Sequence, residues 1–283
     1  MRVVAADQRR QRPGSKRPRG AGPGGRPRRD GPTRRDQPTR SSGRPRGGKP
    51  GRPEPRPSSE PIGPEIPDDV TSAQLSGFVR RQLKSLPDRV AELVGRHLVM
   101  AGRLVDSDPE RAYEHARAAR TLATRVGVVR EACGETAYAS GRYAEALQEL
   151  RAARRITGST DYLPMMADCE RALNRPERAI RLSQDPAVEQ LDAAGRAEMT
   201  IVAAGARRDM GQLPAALQML ESATRGGRVR EPWVARLRYA YADALEAANR
   251  PEEAMEWFHR TVAVDDQTAT DAAERAAALE SRA

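Results

Sequence analysis

The 283-residue sequence is poor in several kinds of residue, and each shortage excludes something. It has two cysteines, Cys133 and Cys169, with no Cys-x-x-Cys spacing. Neither a disulfide framework nor a thiolate zinc site is expected. Both fall in helical patterns, where a free cysteine acts as a small hydrophobe. The three histidines, His97, His115 and His259, are scattered without metal spacing. Aromatics make up 4% of the chain and Val/Ile alternation is absent, so strands are not expected. No apolar run approaches the roughly 20 residues that span a bilayer. The opening run, Met1 to Asp7, lacks the apolar core of a signal peptide, so the expected location is the cytoplasm and no membrane partner is expected. No Ser/His/Asp, Cys/His or paired-carboxylate arrangement has the spacing of a catalytic family. The expectation is a protein that is not an enzyme and that carries no cofactor or metal.

Lysine is nearly missing too: 46 arginines stand against 3 lysines. Codon bias of a high-GC genome accounts for the Arg, Ala, Gly and Pro content. The distribution of charge is a separate matter. Residues 1–60 hold 18 basic and 5 acidic residues, a net +13, while the rest holds 31 and 34, a net −3. Residues 1–66 are Pro, Gly and Arg with almost no large apolar side chain. Such a stretch cannot offset its ordering entropy and is expected to be disordered. Its clustered arginine gives it sequence-blind attraction for nucleic acid. It has no aromatics to stack on bases, so specificity is not expected. Two motifs in it are decoys. Gly43 to Pro50 nearly spells a phosphate-binding loop, but Pro50 replaces the magnesium-binding hydroxyl and no strand precedes it. Gly20, Gly22 and Gly25 have dinucleotide-loop spacing, again with neither strand nor helix around them.

What is present is a repeat. Gly141 to Ala153 reads as a turn followed by an amphipathic helix, with Ala146, Leu150 and Ala153 on one face. Val128 to Ser140 before it is also helical in pattern. Related segments begin at Asp108-Pro109, Arg175-Pro176, Gln212-Leu213-Pro214 and Arg250-Pro251. Aligned on their alanines they give Ala112, Ala146, Ala179, Ala216 and Ala254, spaced by 34, 33, 37 and 38 residues. A period near 34 residues with two helices per unit marks a helical solenoid. Alanine suits the site because the second helix packs closely on the first.

Flanking elements complete the reading. Thr71 is an expected N-cap for a helix carrying Leu75, Phe78, Val79 and Leu83, which Pro87 ends. Residues 88–105 form the first helix of unit one, and Asp108 caps its second, with Pro109 at the first helical position. Residues 184–191 are a longer linker, and Gly226-Gly227 is a break before unit five. Thr270 to Ala283 reads as a capping helix.

These residues resemble the tetratricopeptide repeat family over residues 88–264. Gly134, Gly141, Tyr143, Ala146 and Ala153 match the family pattern in unit two, and Phe258 matches the second-helix aromatic in unit five. The early tryptophan of the first helix and the closing proline are missing throughout. The resemblance implies an all-α, right-handed α-solenoid of about five helix-turn-helix repeats with flanking capping helices. The domain division is then a basic tail, 1–66, and a repeat domain, 67–283.

The resemblance also implies that the first helix of each unit lines a concave, protein-binding surface. Its inward positions fall on Glu131, Glu135 and Tyr138 in unit two, and on Asp161, Met165, Asp168 and Arg171 in unit three. They fall on Glu198, Ile201, Val202 and Arg208 in unit four, and on Arg236, Tyr239, Asp243 and Glu246 in unit five. Unit one contributes Val94, His97, Leu98 and Ala101. The groove is expected to lean acidic. Some family members hold a chaperone's C-terminal carboxylate with Lys and Asn on these helices. The groove has neither, so that partner is not implied. The function expected is an adaptor or scaffold that binds a protein or peptide segment in the concave face. The alternative is a nucleic-acid- or ribosome-associated protein attached through its basic tail.

Overall fold

The computed structural model describes residues 62–225 and 231–282. The tail expectation for residues 1–61 and the Gly226-Gly227 break lie outside those residues. Twelve α-helices are formed among the described residues: α1 (Gly77–Leu83), α2 (Asp88–Leu104), α3 (Pro109–Leu122), α4 (Gly127–Ala139), α5 (Tyr143–Thr157), α6 (Leu163–Ala172), α7 (Pro176–Ser183), α8 (Ala193–Asp209), α9 (Leu213–Thr224), α10 (Pro232–Ala247), α11 (Pro251–Val262) and α12 (Ala272–Glu280). No strand is formed among them.

The helices pair in sequence as α2/α3, α4/α5, α6/α7, α8/α9 and α10/α11. Each second helix also packs on the first helix of the next unit, and α8 packs on both α6 and α10. This is the five-unit solenoid. The five aligned alanines, Ala112, Ala146, Ala179, Ala216 and Ala254, are all fully buried. Close approach is visible at the glycine of unit two. A Cβ added to Gly134 of α4 would lie 2.6 Å from Leu150 Cδ2 of α5, closer than packed carbons can come.

Four of the five inter-helix turns share one backbone solution. Gly141, Asn174, Gly211 and Asn249 have φ of 73°, 58°, 73° and 59°. After each, the next residue donates its N–H back across the turn: Arg142 to Ala137 at 2.8 Å, Arg175 to Glu170 at 2.9 Å, Gln212 to Arg207 at 2.8 Å, and Arg250 to Leu245 at 3.1 Å. This left-handed helix ending uses the two residue types that reach positive φ most easily. The turn of unit one differs. There Asp108 Oδ1 accepts from the Arg111 N–H at 3.1 Å, with Pro109 opening α3.

The segment before unit one departs from expectation. The helix starts at Gly77, capped by Ser76, whose hydroxyl accepts from the Val79 N–H at 3.3 Å. Thr71 precedes a short 3-10 turn instead, Ser72–Gln74, and makes no cap bond. Ser72 is tied to Glu92 of α2 through both its N–H and its hydroxyl, which holds this stretch against α2. Arg96 donates to the carbonyls of Ile66, Pro67 and Val70, so Ile66, the last residue expected in the tail, is tied to α2. Elsewhere the linker at 184–191 contains a 3-10 turn, Pro186–Gln190. The capping helix forms over Ala272–Glu280 and packs on α11.

Candidate functional site

The first helices α4, α6, α8 and α10 line two adjoining cavities. One is about 550 Å³, walled by α4, α6 and α8. The other is about 510 Å³, walled by α8 and α10 and the approach to α12. They share Arg171, Ile201 and Arg236. Of the expected positions, Glu135, Tyr138, Asp161, Met165, Asp168, Arg171, Glu198, Ile201, Val202 and Arg236 line the first. Arg208, Tyr239 and Asp243 line the second. The helical period therefore brings these residues onto one face. Met165, Ile201 and Val202 meet Tyr162 and Pro164 there, which gives the first cavity an apolar floor.

Two sets depart. Glu131 is buried within α4 and is not among the residues lining either cavity. In unit one Val94, His97, Leu98 and Ala101 are all buried: Val70, Leu75, Val79 and Leu83 share a core cluster with Val94 and Leu98, while Ala101 lies in one with Tyr113, Ala116 and Cys133. Unit one thus has a sealed face. His97 Nδ1 lies 3.0 Å from His115 Nδ1 in that interior.

The charges of the groove are cross-linked between units. Tyr138 of α4 donates to Asp168 of α6. Arg171 donates to Asp168 at 3.0 Å and to Asp209 of α8 at 2.8 Å. Its guanidinium lies over Gly205, where a Cβ would come within 2.5 Å. Arg236 of α10 pairs with Glu198 of α8 at 2.8 Å, and Arg208 of α8 pairs with Asp243 of α10. Burial, and then the bond to Asp168, push the Tyr138 phenol well above its ordinary range. Burial works to raise the Asp243 carboxyl, but Arg208 and Arg275 together hold it below its ordinary value. Burial likewise opposes charge on Arg171, and its two aspartates override that. Carboxylates still outnumber arginines in the lining, with Asp106 and Asp271 added to the expected set.

One lining residue and two partners of lining residues escaped the alignment. Tyr162 sits at the start of α6 and donates to Glu135 at 2.6 Å. Asp209 and Arg275 were missed because they lie off the inward repeat positions. Arg275 is in α12, outside any repeat. The only sequence hint was its place on a capping helix. The two cysteines stay inert. Burial pushes both thiols up to about 12, so neither is a nucleophile near neutral pH.

No family model matches the sequence, and no curated protein is similar to it. Solved structures are similar to it. One is a single-substitution variant of the nearly identical TPR-like repeats from a Podosopora anserina protein described as a kinesin light chain. That match covers 68% of this chain and 98% of that one, at 17% identity and a TM-score of 0.50. This chain has the tetratricopeptide-repeat fold. A second similar structure is YrrB, described as a TPR protein with an unusual peptide-binding site. It matches at 19% identity and a TM-score of 0.42, over 66% of this chain and 91% of that one. As a TPR solenoid, the molecule turns its first helices toward the two cavities. No helix among its described residues is long and apolar enough to cross a membrane.

Proposed function

We propose that this TPR solenoid is a non-enzymatic adaptor that holds a segment of another protein in the groove of α4, α6, α8 and α10. The observation that carries the reading is the continuity of the two cavities through Arg171, Ile201 and Arg236. Together they make a trough with an apolar floor at Met165, Ile201 and Val202 and a polar rim. An extended or helical peptide fits such a trough, with its apolar side chains seated on that floor. The cross-linked charges support the same role. They fix the side chains before a partner arrives, which lowers the ordering cost of binding.

The test is affinity capture by the full chain after nuclease treatment, read by mass spectrometry. The comparison is a Met165→Glu/Ile201→Glu variant of unchanged helical content. Proteins retained by the wild type and lost by the variant are the expected result. Identical capture by both would refute a groove-bound partner. A second reading rests on the +13 of residues 1–60. It assigns attachment to nucleic acid, with the solenoid as recruiter. Capture that vanishes with nuclease, or with deletion of residues 1–66, favours it.

A further inference from the structure

Beyond α10 the acceptors of the groove are already matched to a guanidinium. Arg275 of α12 reaches back to α10. Its Nη2 donates to Asp243 Oδ1 at 3.1 Å and to Glu246 Oε2 at 2.6 Å. Its Nη1 donates to the Tyr239 hydroxyl at 3.0 Å, and that hydroxyl is also bonded to the Asp271 side chain. The guanidinium carbon lies 4.9 Å from the centre of the Phe258 ring and 5.9 Å from that of Tyr239. Two carboxylates, a phenol and two ring faces suit a planar cation with several fixed donors. An ammonium ion is a point charge and satisfies this set less completely.

The element that delivers the arginine has a small anchor. The buried side chains of α12 are Ala272, Ala276 and Leu279, and two of these are single methyl groups. The helix packs on α11. The stretch before it turns through Thr268 at φ 47°, a left-handed position that is uncommon for threonine. Asp243 does not depend on Arg275 for a partner, because Arg208 holds its other oxygen. The cage therefore keeps its frame if Arg275 leaves.

We infer that this cage is an arginine-binding subsite of the groove, and that Arg275 occupies it as an internal competitor of an arginine carried by the partner. The inference rests on the groove reading above and adds the chemistry of the partner and a means of regulation. Tyr239, Asp243, Thr270 and Asp271 line the second cavity, so a segment lying along the trough runs directly to the cage. Withdrawal of α12 exposes it. An apparent dissociation constant is the intrinsic one divided by the fraction of molecules in the competent state. If α12 is withdrawn about one time in ten, Arg275 weakens arginine binding about tenfold.

The experiment measures fluorescence anisotropy of labelled octa-arginine and octa-lysine with the full chain at 0.15 M salt. Arg275→Ala is expected to bind octa-arginine about tenfold more tightly than the wild type. Octa-lysine should gain markedly less. Adding Asp243→Asn and Glu246→Gln to Arg275→Ala should abolish the gain. Arg275→Lys should show a smaller gain, and it replaces Arg275→Ala as the reading if the latter loses more helical signal than the nine residues of α12 supply. Unchanged octa-arginine affinity in the variant so chosen, an equal gain for octa-lysine, or a gain that survives loss of both carboxylates would each overturn the competitor. Failure here is distinct from failure of the groove. If Met165→Glu/Ile201→Glu still abolishes partner capture, the trough binds protein and only the arginine subsite is wrong.

Discussion

At one end of the solenoid, Val70, Leu75, Val79 and Leu83 lie buried against Val94 and Leu98 of α2. At the other end, α12 places two alanines and one leucine on α11 and adds the ion pairs of Arg275. Both ends cover a face that would otherwise be open, but by different physics. Apolar closure scales with buried area and ignores salt. Closure by half-exposed ion pairs is weak and is screened within roughly 10 Å at 0.1 M salt. One end is thus a permanent seal, and the other is able to open. The cover over α2 leaves the aligned inward positions of unit one buried, whereas most of those from unit two onward line the trough.

The largest expected effect lies under the seal. Leu98 is fully buried, and Leu98→Ala should cost about 2–5 kcal/mol in urea unfolding. Leu279 of α12 is 7% exposed, and the other buried side chains of its helix are alanines. Leu279→Ala should cost no more than about 2 kcal/mol. Equal losses at the two positions would erase the distinction between the ends.

Acid should separate the ends next. His97 and His115 face each other inside unit one. Burial lowers both; at His97 a bond with the Ile62 backbone opposes it and Arg96 adds to it, while at His115 the nearby His97 and Arg111 add to it, taking that group down to about 4. Lowered histidines favour the folded state while neutral. The unfolded chain binds their protons first, near pH 6.5, so stability falls as pH drops from there to about 4. The loss for His115 reaches about 3 kcal/mol. Asp243 at the other end is held below 3.8, so most of its contribution remains down to about pH 4 and the bulk is lost in stronger acid. Hydrogen exchange between pH 6.5 and 4 should therefore rise in α2 and α3 before it rises in α12. A His115→Gln variant that keeps the full acid loss would show that the pair is not its source.

The fold was legible where it depends on local spacing. Five alanines at near-constant separation named the helix pairs, and all five are buried. Ala146→Leu should overpack α4 against α5 and cost about 1–3 kcal/mol, and an unchanged melting temperature would remove the basis of the alignment. The groove was legible for the same reason, since its positions recur with the repeat. Its pairings were not. Arg236 meets Glu198 across units, 38 residues away, and no local pattern encodes which arginine faces which acid. The sealed face of unit one was also hidden, because it depends on what lies over α2 rather than on α2 itself. Arg275 was hidden because it belongs to no repeat.

The smallest effect sharpens the contrast between unit one and the rest at the level of single turns. Gly141 was readable as a turn residue, but Asn174 and Asn249 were not, since asparagine is common on any surface. In these turns asparagine serves by its backbone: Asn174 has φ 58°. Asp108 in unit one serves by its side chain, which caps α3. Serine distinguishes the two roles. It caps a helix about as well as aspartate, so Asp108→Ser should change stability by only a few tenths of a kcal/mol. It has a Cβ and no special ease in the left-handed region, so Asn174→Ser should cost about 1 kcal/mol. Asn174→Gly removes the Cβ clash and should be close to neutral. Chemical denaturation of the three variants checks this. A costly serine at 108 together with a harmless one at 174 would mean that the turns of unit one and unit three do not differ in this way.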